Sequence, residues 1–254
     1  MSKRHIIIPA RLQSSRLANK LLLDLAGKPI IEHVYERALQ CGFEQVVIAT
    51  DSEEIQEVAH SFGATVCMTA VDHQSGTDRL AEAVHKLAIA DEDIVVNIQG
   101  DEPLIPMENV IQAADLLVDR SQAVMATLCE RITDENEIHD PNCVKVVFNR
   151  EQYALYFSRA PIPWQRGVFD QDEIKMGDHY RHIGLYAYRA GFLKVYARME
   201  KSLLEQIESL EQLRVLWHNQ KIAIAEAKAS TPPGIDTQAD LDKVRKMYDS
   251  FCAR

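Results

Sequence analysis

Several things are scarce in this chain of 254 residues, and each scarcity narrows the field. Its five cysteines, Cys41, Cys67, Cys129, Cys143 and Cys252, form no CxxC and no zinc-type spacing. They read as ordinary reduced thiols of a cytoplasmic protein. No apolar stretch approaches the ~20 residues that a membrane span needs. The chain opens directly into a strand-like run, without the pattern of a signal peptide. The expectation is a soluble, cytoplasmic protein with no membrane partner. Positive charge is also short: 28 Lys and Arg stand against 38 Asp and Glu, a net charge of −10. That argues against non-specific nucleic-acid binding, whose usual footprint is a basic surface. A local basic pocket remains open. There is no Ser/Gly-rich linker and no internal repeat, and no cysteine or Ser/His/Asp triad suits a covalent nucleophile.

What is present is a chain that can bury a core, with 46% hydrophobic and 26% charged residues. The first half alternates strand-like runs (6–8, 45–49, 64–68, 94–98) with helical spacing (29–41, 52–62, 77–87). Pro29 suits a first helical turn and Ser52 an N-cap. This alternation implies βαβ units and a mainly parallel sheet. The second half is richer in strands, at 144–148, 154–158, 183–188 and 221–227, with a polar loop at 164–177. Helices are expected at 203–217 and 239–251. The expected architecture is one α/β domain over 1–254, a mixed but mainly parallel sheet flanked by helices, with a β-rich insertion. Within it, 1–130 would bind nucleotide and 140–230 would bind sugar and make a dimer contact.

Three segments carry chemistry. Residues 6–20 read IIIPARLQSSRLANK. A buried strand ends at Pro9, and the following loop holds Arg11, Ser14, Ser15, Arg16 and Lys20. Loops at the carboxyl ends of parallel strands are where α/β sheets bind ligands. Arg forks and a Lys point charge suit phosphate oxygens, although the same cations also suit a solvated loop. Residues 73–79 read HQSGTDR, a turn leading into a helix, which offers backbone N–H groups to an anion or a base. Ser75 or Thr77 could equally be a plain cap. Residues 97–103 read NIQGDEP and place Asp101 at a strand tip, with Glu102 as its rival for a metal. Magnesium takes few protein carboxylates and completes its shell with phosphates and water. Asp236, in PPGIDT, reads on its own as a turn residue before a helix.

The first segment resembles the phosphate loop of the CMP-Kdo synthetases (3-deoxy-manno-octulosonate cytidylyltransferases), of the sugar nucleotidyltransferase superfamily. That loop usually reads IPARxxSSRLPGKPL. Here Arg11, Ser14, Ser15, Arg16, Leu17 and Lys20 match, while Ala18, Asn19 and Leu21 replace Pro, Gly and Pro. Asn tolerates φ > 0 better than most residues, so Asn19 should keep the loop's shape. The resemblance continues in order through AGKPIIEHVYERA (26–38), ATD (49–51), SGTDRLAEA (75–83), NIQGDEPLI (97–105), ALYFSRAPIP (154–163), RHIGLYAYR (181–189), IESLEQLR (207–214) and PGIDTQADL (233–241).

The resemblance implies a Rossmann-like nucleotidyltransferase fold and transfer of CMP from CTP to Kdo, releasing pyrophosphate. The product would feed lipopolysaccharide or capsule synthesis, and the enzyme would be a homodimer. By the same resemblance Pro9, Arg11, Ser14, Arg16, Lys20, Ser75, Gly76 and Arg79 bind the nucleotide. Asp101 and Asp236 hold magnesium, and together with Arg11 and Lys20 they form the catalytic group. Gln99, Arg159, His182, Tyr186, Glu211 and Gln212 bind the sugar. Two other readings stand beside this one. The sugar could be another acid, 8-amino-Kdo or a sialic acid, or the chain could be a non-catalytic nucleotide-binding relative.

Overall fold

The computed structural model describes residues 2–12, 16–73, 75–169 and 178–252, with side chains described as far as Tyr248. Ser14, Ser15 and the stretch 170–177 of the expected polar loop lie outside the described residues. In chain order the elements are β1 (Arg4–Ala10), a 3-10 turn (Lys20–Leu22), β2 (Asp24–Leu25), β3 (Lys28–Pro29), α1 (Ile30–Leu39), β4 (Gln45–Thr50), α2 (Glu53–Ser61), β5 (Thr65–Met68), α3 (Gly76–Lys86) and β6 (Ile94–Asn97). Then follow α4 (Met107–Asp119), β7 (Ala123–Arg131), α5 (Glu135–His139), β8 (Lys145–Phe148), β9 (Ala154–Ser158), β10 (Tyr180–Arg189), α6 (Ala190–Tyr196), α7 (Leu203–Glu208), α8 (Gln212–Trp217), β11 (Lys221–Glu226) and α9 (Gln238–Cys252).

The main sheet runs β11-β7-β10-β6-β1-β4-β5, with the β8–β9 hairpin attached to β10. Strands β6, β1, β4 and β5 are parallel neighbours, as are β7 and β11. Strand β10 joins these two parallel groups by pairing antiparallel with both β6 and β7. The central strands carry apolar side chains on both faces because helices cover both faces. Ile6 and Ile8 point into one core with α1, α2 and α4, while Ile7 points into the other with α3, α6 and α8. Sequence patterning passes over α4 and β7. Helix α4 nonetheless shows Val110, Ala113, Ala114 and Leu117 at helical spacing, all buried.

The expected helix over 203–217 is two helices. Ser209 adopts the left-handed region (φ 52°) and ends α7, and α8 starts only at Gln212. The intervening Ser209–Glu211 faces a cavity instead of continuing the helix. At the other end of the molecule, a small third core gathers Leu25, Ile30, Leu104, Ile235, Leu241 and Val244, with Leu17, Leu23 and Tyr248 against it. It packs α9 onto the loop that follows β1. Each fully buried Leu or Ile there contributes roughly 1.5–3 kcal/mol. His33 adds polar links, its Nε2 donating to Leu25 O (2.6 Å) and its Nδ1 meeting the Tyr248 hydroxyl (2.8 Å).

Candidate active site

The carboxyl ends of β1 and β6 set out the charged groups. After β1 the chain turns through Arg11 and reaches Asn19, which sits in the left-handed region (φ 50°) as its tolerance of φ > 0 leads one to expect. Asn19 so turns the chain into the short 3-10 turn that begins with Lys20. Lys20 Nζ donates to Asp101 Oδ2 and, at 2.9 Å, to Asp236 Oδ1. Arg16 pairs with the other oxygen of Asp236 at 2.8 Å. Burial works against the Lys20 charge, but the attraction and hydrogen bonds of Asp101 and Asp236 outweigh it, and the ammonium pKa is raised.

Two backbone features bring Asp101 and Asp236 together across the sequence. The Ile235 N–H donates to Asp101 O at 2.9 Å. Gly100 sits so close to its surroundings that a Cβ would stand 3.3 Å from Pro9 O, Leu21 Cδ1 and Ile31 Cδ1. A side chain there would have to push these neighbours back by a few tenths of an ångström where the β6 exit crosses the β1 exit. Asp236 itself precedes a capped helix start, with the Thr237 hydroxyl donating to Asp240 at 2.7 Å.

Glu102, the expected rival ligand, is half-buried, and its buried Oε2 has no partner among the described residues. Burial first, then the charges of Asp101 and Asp236, push its carboxyl up to about 8 against the pull of Lys20. The donor set fits magnesium. Two carboxylates already converge on one cation, the Lys20 ammonium. Among the described residues no group of three or more His, Cys, Asp or Glu is poised to cage a metal. A hard cation that borrows phosphate oxygens needs no such cage.

Two cavities adjoin at Gly76, Gln99 and Glu211. The first, about 200 Å³, is lined by Pro9, Arg11, His73, Ser75, Gly76, Arg79, Gln99 and Glu211. Ser75 is the N-cap of α3, accepting from the Asp78 N–H at 3.2 Å and donating to its carboxylate at 2.9 Å. Ser75 therefore caps α3 and lines the cavity at once. Arg79 is buried, with its guanidinium on Asp51 (3.0 Å) and the Thr69 hydroxyl.

The second cavity, about 280 Å³, continues from Gly76, Gln99 and Glu211 to Thr77, Asn97, Tyr186, Tyr188, Tyr196, Ser209 and Gln212, with Met125, Leu210 and Val215 adding apolar surface. Thr77 Oγ1 donates to Glu211 Oε2 at 3.0 Å, tying α3 to the start of α8. Burial raises the Glu211 pKa, with the Thr77 bond opposing it. Burial, with smaller contributions from Tyr188 and Glu211, pushes the Tyr186 phenol well up, so it stays a neutral hydroxyl.

Of the residues expected at the sugar, Gln99, Tyr186, Glu211 and Gln212 line this second cavity. His182 and Arg159 do not. His182 lies behind Tyr186, with ring centroids 5.3 Å apart, and meets the Thr127 hydroxyl at 3.1 Å. Four residues of regular strand would separate the two by about 13 Å. A bulge between Ile183 and Tyr186 closes that gap. Arg159 donates to Glu208 O (2.7 Å), Pro141 O (2.8 Å) and Ser209 O (3.4 Å), so its guanidinium caps the end of α7. Thr77, Asn97, Tyr188 and Tyr196 are cavity residues that pattern reading passed over. Asn97 did carry a signal: it is polar, on a buried strand, two residues before Gln99 and therefore on the same face.

The cytidylyltransferase family pattern matches residues 5–222. This chain belongs to the cytidylyltransferase family. It is 58% identical over 249 residues to a 3-deoxy-manno-octulosonate cytidylyltransferase of Francisella tularensis subsp. holarctica, covering 98% of this chain and all of the relative. The corresponding protein of Coxiella burnetii is 51% identical over 245 residues, covering 96% of this chain and 98% of the relative. A solved CMP:2-keto-3-deoxy-manno-octonic acid synthetase, complexed with CTP, superposes with a TM-score of 0.90 at 45% identity, covering 98% of this chain and 99% of that one. A 4-diphosphocytidyl-2C-methyl-D-erythritol synthase, 14% identical with a TM-score of 0.64 over 98% of this chain and 99% of its own, shares the fold. The likeness, over 98% of the chain, therefore includes the residues of both cavities and of the Lys20–Asp101–Asp236 cluster.

Proposed function

We propose that the chain transfers CMP from CTP to the anomeric hydroxyl of 3-deoxy-manno-octulosonate, giving CMP-Kdo and pyrophosphate. The observation that carries this reading is a pair of adjoining cavities, one lined by Arg11, Arg79 and the start of α3, the other by hydroxyl and amide groups, with Asp101 of the Lys20–Asp101–Asp236 cluster two residues beyond the Gln99 that both cavities share. The names of the full-length relatives support the same reaction.

CTP lies in the first cavity, its base side against Ser75, Gly76 and Arg79. Arg11, Arg16 and Lys20 hold the triphosphate. Arg16 and Lys20 exchange carboxylate partners for phosphate oxygens as the nucleotide arrives, which frees Asp101 and Asp236. Those two carboxylates are the residues to hold magnesium, which when bound neutralises phosphate charge and lowers the pKa of a nearby hydroxyl. The sugar fills the second cavity, with Gln99, Tyr186, Glu211 and Gln212 on its hydroxyls. Its anomeric oxygen then attacks the α-phosphorus in line and pyrophosphate leaves. Positioning and charge do this work without a covalent enzyme intermediate. The exposed Leu155, Leu203, Ile207 and Trp217 of the second half support a homodimer contact there, checked by ultracentrifugation.

The test is pyrophosphate release by purified protein with CTP, magnesium and Kdo, compared with 8-amino-Kdo and a sialic acid. Turnover with Kdo that falls about 10²- to 10³-fold in Lys20→Ala is the expected result. Absence of turnover with Kdo alongside turnover of another sugar acid overturns the assignment.

A further inference from the structure

Asn97 has no part in the scheme above, yet it lines the second cavity and is 3% exposed. It ends β6, held between β1 and β10 by the pairing of Asn97 with Ile7 and with Tyr186. Its side-chain Oδ1 has no hydrogen-bond partner among the described residues. Buried amides are nearly always paired, so one left open at the wall of a cavity is a group waiting for a ligand. Asn97 also lies about 7 Å deeper along the strand than Gln99, on the same face.

The charge pattern of the cavity orients what enters it. Among the described residues its lining holds Glu211 but no Lys, Arg or His. The cations Arg11 and Arg79 line the neighbouring cavity, and Arg16 and Lys20 meet the carboxylates above. A 2-keto-3-deoxy sugar acid carries its carboxylate and its attacking hydroxyl on the same carbon. A carboxylate driven into a cation-free cavity beside Glu211 would be desolvated and unpaired. The reacting end therefore stays at the Gln99–Glu211 border, and the opposite, uncharged end enters the cavity.

We infer that Asn97 is a specificity residue that hydrogen-bonds the terminal hydroxyls of the sugar at the end remote from the anomeric carbon. This rests on the sugar-acid reading above. The enzyme thereby measures the length and hydroxylation of the sugar tail, while Asp101 and the cations handle its acidic head.

The experiment compares Kdo with the seven-carbon 3-deoxy-2-ulosonic acid that lacks its terminal CH2OH, using the full chain and its Asn97→Leu and Asn97→Ala variants. Leu removes the amide at similar size, and Ala removes it without crowding. We expect kcat/KM for Kdo to fall about 10- to 100-fold in both variants, because a substrate hydroxyl loses its partner. For the shortened sugar the fall should stay below about threefold on the same ground, with KM for CTP unchanged. Thermal midpoints should not drop, since the amide oxygen has no protein partner to lose. Equal losses on both sugars, a change in KM for CTP, or lowered midpoints in both variants overturn the assignment of Asn97. A wild-type protein that turns over neither sugar overturns instead the reading on which it rests, and is seen before any variant is made.

Discussion

Acidification should weaken this protein through His182 in a way that one substitution removes. Burial pushes the imidazole down from 6.5 to about 3. The ring lies between Phe157, edge to face at 5.0 Å, and Tyr186. The Thr127 hydroxyl donates to the carbonyls of Ile183 (3.0 Å) and Leu185 (2.9 Å), so its lone pair accepts from the protonated Nε2 of His182. The neutral ring is thus satisfied, whereas an imidazolium would be desolvated. The stability that depends on this neutrality is fully present above pH 6.5 and is lost progressively as pH falls toward 3, because the unfolded chain takes up a proton that the folded chain refuses. Each pH unit in that window costs about 1.4 kcal/mol. At pH 5, about 1.5 units below the unfolded value, the loss is about 2 kcal/mol. His182 as a residue is only half-buried, which makes this figure an upper bound. His182→Phe keeps a ring against Phe157 and Tyr186, and Thr127 still donates to backbone. It should cost about 1 kcal/mol at pH 7 for the lost hydrogen bond. Urea denaturation of both proteins at pH 7 and pH 5 then isolates the effect, since all other titrating groups are common to the pair. The wild type should lose up to about 2 kcal/mol more than the variant between the two pH values. Identical losses would falsify the reading of His182 as a buried neutral base.

Two further substitutions probe the frame of the site. Arg79→Ala strips Asp51 and Thr69 of a buried partner and should cost about 3 kcal/mol in urea denaturation; a loss below 1 kcal/mol would show that the pair is solvated. Gly100→Ala drives a Cβ against Pro9 O, which belongs to a central strand and cannot retreat. It should lower stability by about 1–3 kcal/mol and, by shifting Asp101, lower kcat about tenfold or more. An unchanged thermal midpoint with full activity would refute the close-approach argument.

The parallel half of the sheet was legible in the chain's pattern, because apolar runs alternating with amphipathic periods leave few other arrangements. The sequence by itself determined the residue types of the phosphate loop, and Asn19 kept the loop's left-handed turn where the family usually has glycine. It could not settle Asp236, which reads locally as a turn residue. Only the third core around Ile235 and the Ile235-to-Asp101 backbone bond bring that carboxylate to Lys20. Helical periodicity runs unbroken through 203–217, yet the chain breaks at Ser209, since a left-handed residue there turns Glu211 toward Thr77. His182, expected at the substrate, stands behind Tyr186 because a bulge, invisible in a two-residue period, draws the two rings together. Arg159 reads in the sequence as a cation for a carboxylate; the fold gives its guanidinium the carbonyls of Glu208 and Ser209 at the end of α7 and of Pro141 before β8. Residue type and local period were thus legible, whereas partnership between segments far apart in the chain was decided by packing and by which buried polar groups found each other.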